Sequence, residues 1–204
     1  RFLKKEGRRI ISQPIKGTRR RGLTLEEDEL LKKELLDNQK ERSENVMIVD
    51  LVRNDLSRIA EKDSVKVDEL FGIYTFDQVH HMISTISCEL SKATQMKDVF
   101  QASFPMGSMT GAPKISAMKL IETFEETKRG LYSGAVGYIT PEGDFDFNVV
   151  IRSIQYNALN KYLSFMVGGA ITMGSEAKLE YEECLVKAKA LFEVLEGEYA
   201  EKVS

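Results

Sequence analysis

The sequence is poor in the residues that build covalent or metal-bound scaffolds. It holds two cysteines, Cys88 and Cys184, far apart and with no Cys or His at zinc-ligand spacing. That excludes a metal knuckle or a disulfide framework and leaves buried free thiols as the expectation. The two histidines, His80 and His81, are adjacent, so a Cys-His catalytic pair requires tertiary contact that nothing local favours. No stretch approaches the run of about 18 apolar residues that a membrane span needs, and the basic N-terminus lacks the apolar segment of a signal peptide. A soluble, cytoplasmic protein with no membrane partner is expected. An excess of one charge is also missing: 29 Lys plus Arg stand against 32 Asp plus Glu, a formal net charge of -3. With 42% apolar residues in 204, the chain is neither disordered nor a polyelectrolyte, and it suits one large domain or part of one. It begins at Arg1 rather than Met, which leads us to expect a segment of a longer polypeptide.

Charge is nonetheless uneven along the chain. Residues 1 to 21 carry nine bases and one acid, Glu6. Ile10, Ile11 and Ile15 lie among them, with Pro14 and Gly17 shaping the backbone, so a solvated basic face or an anionic small-molecule pocket is favoured over nucleic-acid binding. From Thr24 to Glu44 the sign reverses, as on the exposed face of a helix.

Phe2 to Ile11 reads as strand, turn, strand, with Gly7 at the turn. Thr24 and Glu27 have capping-box spacing, and Leu25, Leu30, Leu31, Leu35 and Leu36 follow on a helical period. Val46, Val49, Val52, Leu56 and Ile59 continue it, which predicts one long or bent helix to about residue 60. A further helix is predicted over 108–127, with Pro113 in its first turn and Ile115, Met118 and Ile121 as its apolar face. Strands are expected from Leu131 onward: a hairpin around Pro141-Glu142-Gly143, then a strand from Tyr162 to Ala170, before a helix after Ser175 carrying Leu179, Leu185, Leu191, Val194 and Leu195. Helices, an antiparallel meander and a final helix make the fold class α+β, with no internal repeat.

Four constellations have chemical potential. Glu41 with Glu44, and Glu180 with Glu183, are spaced to share a helical face. Such pairs are either solvated surface or, converging, an oxygen-rich site that suits Mg²⁺ with an anionic ligand. The apolar company of Val46-Met47-Ile48-Val49 argues for the second. Gly107-Ser108-Met109-Thr110-Gly111-Ala112-Pro113-Lys114 places glycines and hydroxyls before a helix start, either as an anion-holding loop or as a plain Pro-capped turn. It is not a Walker A loop, because Gly111 is followed by Ala112 and Pro113 rather than Lys-Ser/Thr. Gly168-Gly169 permits close approach of a ligand or merely close packing. Arg152 is read on a strand face with Asp146 and Asn148, either as a fork for a carboxylate or in a salt bridge with Asp146.

These pieces occur in a telling order. Pro14-Ile15-Lys16-Gly17-Thr18, the run from Glu44 to Leu56, the run from Phe104 to Lys114, Arg129-Gly130-Leu131-Tyr132-Ser133-Gly134, Ile151-Arg152-Ser153 and Glu180-Tyr181-Glu182-Glu183 closely resemble the chorismate-utilising enzymes. That family comprises component I of anthranilate synthase and of aminodeoxychorismate synthase, together with the isochorismate and salicylate synthases. The resemblance implies a two-sheet sandwich flanked by helices, of which residues 1–204 would be the C-terminal part of a single chorismate-binding domain. In the family's Ser-Pro-Glu-Arg-Phe segment only Arg1 and Phe2 are matched, so the Glu expected as general acid would precede Arg1.

Within the family, Lys16 is discriminating. Anthranilate synthases typically have Ala there, whereas Lys resembles aminodeoxychorismate synthase, in which the amine is the proposed nucleophile on the chorismate ring. A lysine desolvated in a closed site can attack as the neutral amine. The resemblance further implies that Glu41, Glu44, Glu180 and Glu183 hold Mg²⁺, that Tyr132, Arg152, Gly168 and Gly169 bind the enolpyruvyl carboxylate, that Ser108 and Thr110 line the pocket, and that His81 lies near the ring through the Val-x-His-x-x-Ser pattern of Val79 and Ser84. His80 has no counterpart role. The implied product is 4-amino-4-deoxychorismate, on the way to 4-aminobenzoate and folate. Neither cysteine sits in a Gly-x-Cys-x-Gly elbow, so ammonia is expected from a glutamine amidotransferase partner. The alternatives are an anthranilate synthase or a related synthase, and a non-catalytic scaffold that binds chorismate or a partner without turnover.

Overall fold

The structure is a computed structural model and describes residues 1–196. The chain forms two compact units: Arg1–Glu126 with Ala135–Val149, and Thr127–Gly134 with the residues from Val150 onward.

The first unit is built on an antiparallel sheet. Strands β1 (Leu3–Glu6) and β2 (Arg9–Ser12) form the expected hairpin, and Gly7 supplies the turn at φ +59°. β3 (Ile15–Arg20) follows directly after Pro14. β2 and β3 lie end to end along one edge of β5 (Val79–Glu89), β2 against Ile86 to Glu89 and β3 against Val79 to Ile83. The proline between them has no N–H to donate, but its carbonyl accepts from Ser84 N at 3.2 Å. The other edge of β5 pairs with β4 (Lys66–Thr75). Two later strands complete the sheet: β7 (Phe145–Val149) pairs with β1, and β6 (Ala135–Ile139) pairs with β7 across the predicted Pro141-Glu142-Gly143 turn.

Helices α1 (Leu25–Asp37) and α2 (Gln39–Ser57) pack against β3 and β5. The single long helix expected from the apolar period is therefore two. Asn38 interrupts it in an extended conformation (ψ 108°), its side chain accepting from Glu41 N at 3.0 Å. A short amide that caps the next helix competes with helix continuation. Thr24 caps α1 by accepting from Glu27 N at 3.2 Å, as its spacing implies. After α3 (Met96–Ser103) comes a 3₁₀ turn, Gly107–Met109, and then α4 (Lys114–Phe124). The helix predicted over 108–127 is shorter at both ends, because Gly111 at φ +154° breaks the entry and Pro113 is the N-cap. Its expected apolar face is not buried: Ile115 is 65% exposed.

The core joins Phe2, Leu3 and Ile10 of the hairpin to Val49, Leu56 and Ile59 around α2, Ile86 and Cys88 of β5, Val99, Met106 and Phe145. Phe100 of α3 stacks at 5.5 Å on Phe145 and edge-on at 5.2 Å on Phe147, a geometry that adds to burial. β3, β4, β5 and α3 were absent from the sequence-based expectation. β5 is hydrogen-bonded on both edges and largely buried. Its His-His-Met-Ile-Ser-Thr-Ile-Ser-Cys run therefore shows no in-out alternation.

In the second unit β8 (Gln155–Asn157) and β9 (Tyr162–Ser164) form a small hairpin. Asn157 and Asn160 accept from Leu159 N and Tyr162 N at 3.0 and 3.1 Å, the Asx turns that make the reversal. The strand expected to reach Ala170 ends at Ser164. α5 (Ala177–Glu196) follows Ser175 as predicted, and Phe192 of α5 meets Phe165 edge-on at 5.2 Å. Among the described residues no helix is long and apolar enough to cross a membrane.

Candidate functional site

Lys16 stands on an irregular stretch of β3. Pairing with β5 runs from Ile15 opposite Ile83 to Thr18 opposite His81, so β3 holds one extra residue at Lys16-Gly17. Such a bulge redirects a side chain from the ladder. Gly17 takes φ +90°, and a Cβ there would lie 2.9 Å from Leu35 Cδ1 and 3.3 Å from Glu41 Oε2. Glycine is needed for both backbone and space. The Lys16 amine, with its side chain 18% exposed, donates to Glu44 Oε2 at 3.4 Å.

Glu44 and Glu41 lie one turn apart on α2, as their spacing requires. Each faces a base of β3: Glu44 faces Lys16, and Glu41 Oε1 lies 3.9 Å from Arg19. Two half-buried carboxylates thus face two cations, and charge is balanced locally. The next residue, Asn45, is fully buried; its Oδ1 accepts from Ser84 Oγ at 2.6 Å. Ser84 Oγ in turn accepts from Phe71 N at 3.1 Å, where β4 has positive φ. This chain of hydrogen bonds sets the rotation of α2 against β5. Asn45 was not singled out from the sequence; the signal was a lone amide within Val46-Met47-Ile48-Val49. Ser84 had been noted only as part of the His81 pattern.

His81 Nδ1 shares a hydrogen bond with Thr18 Oγ1 at 2.9 Å, and its ring meets Phe76 edge-on. His80, on the opposite side of β5, is fully buried between Asp28 (2.8 Å) and Thr75 (3.0 Å). Asp28 also accepts from Arg21 Nε and Nη2 and from Gly22 N. These bonds, the Arg21 guanidinium first, hold its carboxyl far below the usual carboxylate range. His80 and Asp28 bind α1 to the sheet.

The 104–113 loop lies against α2. Gly107 is buried, and a Cβ on it would overlap the Leu51 side chain. Thr110 Oγ1 donates to Met106 O at 3.1 Å, and Ser108 is in the 3₁₀ turn.

In the second unit the Gly168-Gly169 backbone is closely packed. A Cβ on Gly168 would lie 2.9 Å from Tyr132 Oη, and one on Gly169 would lie 3.1 Å from Glu180 Oε2. Glu180 Oε1 accepts from Ser175 Oγ at 2.7 Å. Glu183 pairs with Lys187 at 2.6 Å, and Lys187 Nζ also donates to Gly168 O at 3.1 Å. Lys187 links two predicted site residues and escaped the sequence reading, although its i+4 spacing from Glu183 was visible. Arg152 corrects an expectation. β7 ends at Val149, and Arg152 is beyond it at φ +50°, so it shares no strand face with Asp146 and Asn148. Asp146 instead accepts from Arg1 Nε at 3.0 Å.

Within each unit, among the described residues, no group of three or more His, Cys, Asp or Glu gathers as a metal site. Glu41 and Glu44 belong to the first unit, Glu180 and Glu183 to the second. The α2 pair offers two oxygen donors on one turn, which suits a cation that takes one or two carboxylates and completes its shell with water and ligand.

Residues 1–193 match the family model described as chorismate binding enzyme. The chain is 42% identical over 188 residues to anthranilate synthase component 1 of Aquifex aeolicus, covering 92% of this chain and 38% of that protein. It is also 42% identical over 195 residues to aminodeoxychorismate synthase component 1 of Bacillus subtilis, covering 96% and 41%. The chain therefore spans well under half the length of these relatives. Among solved structures, anthranilate synthase component I from Streptococcus pneumoniae superposes with a TM-score of 0.76 at 35% identity, over 92% of this chain and 40% of that one. The menaquinone-specific isochorismate synthase of Escherichia coli, at 21% identity and a TM-score of 0.81 over 93% and 42% of the two chains, shares the fold. From the match along nearly its whole length, this chain belongs to the chorismate-binding enzyme family.

Proposed function

We propose that the chain carries out the amination of chorismate at C4, as part of an aminodeoxychorismate synthase component I. The observation that supports this most is Lys16, placed by a bulge with its amine partly buried beside Glu44. Once its ammonium has given up a proton, Lys16 Nζ adds at ring C2. The two ring double bonds shift, and the C4 hydroxyl departs with a proton as water. Ammonia then adds at C4, the double bonds shift back, and the C2–Nζ bond breaks to release Lys16 and 4-amino-4-deoxychorismate. One hard displacement becomes two easier ones. Tyr132, Arg152 and the Gly168-Gly169 backbone orient the enolpyruvyl carboxylate, His81 lies by the ring, and Ser108 and Thr110 line the pocket.

Glu41, Glu44, Glu180 and Glu183 are the residues proposed to hold Mg²⁺. When bound, the ion would supply positive charge for the ring carboxylate. Ammonia would come from a glutamine amidotransferase, so the complete polypeptide should use ammonium salts alone but glutamine only with that partner. A second reading is anthranilate synthase, favoured by the equal identity to its component 1; there ammonia attacks C2 directly and residue 16 needs no amine.

Product analysis with intact-mass measurement separates the two. Incubated with chorismate and Mg²⁺ but no ammonia, the complete polypeptide should accumulate a covalent adduct. Lys16→Ala and Lys16→Arg should both lose it along with the 4-amino product, because Arg keeps the charge but is no neutral nucleophile. Anthranilate as product, or no adduct together with an active Lys16→Arg, overturns the proposal.

A further inference from the structure

α4 begins at Lys114, and none of its residues is buried. Burial of apolar side chains ordinarily fixes a helix to its domain, and among the described residues that anchorage is lacking. Polar contacts at its first residue stand in its place. Lys114 Nζ donates to Asp55 Oδ2 at 2.5 Å and to Ser103 O at 3.3 Å. The ammonium and the carboxylate side chains are 14% and 6% exposed. Burial pushes the Asp55 carboxyl up from its ordinary value while Lys114 opposes that shift.

The positions of the three partners give the contact its meaning. Ser103 is the last residue of α3 and Lys114 the first of α4, so the ammonium ties together the two ends of the 104–113 loop. Asp55 fastens that closed loop to α2, one turn beyond Leu51, against which Gly107 is packed. α2 also carries Glu41 and Glu44.

We propose that Lys114 and Asp55 are positioning residues, forming a latch that holds the 104–113 loop, with Ser108 and Thr110, at a set place along α2 relative to Lys16 and Glu44. Its consequence for substrate rests on the chorismate reading above; the latch itself does not. Neither side chain is required to touch the reacting atoms.

The test must separate loss of the latch from an uncompensated buried charge, which by itself destabilises strongly. The double variant Asp55→Leu with Lys114→Met removes both charges at similar volume and should fold with a melting temperature near that of wild type. In the complete polypeptide, amide hydrogen exchange of residues 104–113 should then quicken about tenfold or more. KM for chorismate should rise about tenfold, with kcat changed less than about threefold. Lys114→Arg alone, with Asp55 kept, leaves a cation in reach of both acceptors and should hold both measures near wild type. Wild-type exchange in the loop of the double variant overturns the latch, and quickened exchange with unchanged KM overturns its positioning role. If wild type neither binds nor turns over chorismate, the functional reading fails, and loop exchange alone decides the latch.

Discussion

Gly17 is where backbone, packing and proposed chemistry meet, and replacing it with alanine gives a measurable consequence. Two costs add. A residue with a β-carbon held at positive φ loses about 1–2 kcal/mol. The new methyl also falls 2.9 Å from Leu35 Cδ1, and Leu35 is fully buried, so it has little room to retreat; overpacking of this kind costs about 1–3 kcal/mol. Gly17→Ala should therefore destabilise the protein by about 2–5 kcal/mol. Gly7 is an internal control: its φ is +59°, and a Cβ there would meet nothing within 4 Å. Gly7→Ala should show only the backbone cost. The chain has no Trp, so urea unfolding is best followed by far-UV circular dichroism. With slopes of about 1–3 kcal/mol per molar urea, Gly17→Ala should lower the midpoint by about 0.7 M or more. Crowding is isolated by a Leu35→Val background, which removes the offending methyl and should shrink the penalty at Gly17. Equal costs at Gly17 and Gly7, or an undiminished penalty in that background, would refute the reasoning. The new methyl also presses on Glu41 Oε2, so activity should fall further than stability alone accounts for.

Other consequences are open to direct measurement. In the complete polypeptide, Glu44→Gln or Glu183→Gln should abolish chorismate turnover with an unchanged circular dichroism spectrum, and normal Mg²⁺-saturable activity in either would remove the metal assignment. Burial raises the Cys88 thiol to about 11, so at pH 8 an aromatic disulfide reagent should titrate Cys184 but reach Cys88 only on unfolding; prompt reaction of both thiols in the folded protein would contradict the buried environment. Asp28 has a lowered folded-state value. Its contribution is therefore present above the ordinary carboxylate range and is lost as pH falls below about 4 toward that lowered value. Asp28→Asn should flatten the loss of stability in acid, and an unchanged acid profile would count against the Arg21 and His80 contacts.

Sequence alone was sufficient wherever the determinant is local. The Gly7 hairpin, the Thr24 cap, the Pro141 to Gly143 turn and α5 all depend on neighbours a few residues away, where spacing and backbone preference decide the outcome. The pairing of Glu41 with Glu44 on one face of α2 follows from helical period in the same way, and Lys16 was marked as the discriminating residue by the motif around it.

What only the tertiary structure decided depends on residues distant in the chain. β5 is a strand because three others hydrogen-bond to its edges, and a strand buried in that way carries no alternation to read. The apolar period across α1 and α2 concealed a break, because a side-chain cap at Asn38 leaves no trace in hydrophobicity. Arg152 continues the alternation of β7 in sequence, yet the strand ends three residues earlier, where the chain passes from one compact unit to the other. The bulge that carries Lys16 to Glu44 exists only through register with β5, and the grip of Lys114 on Asp55 spans residues that no periodicity connects. Local preference chose the caps, the tight turns and the last helix; long-range pairing and burial made β5 a strand and determined which side chains meet.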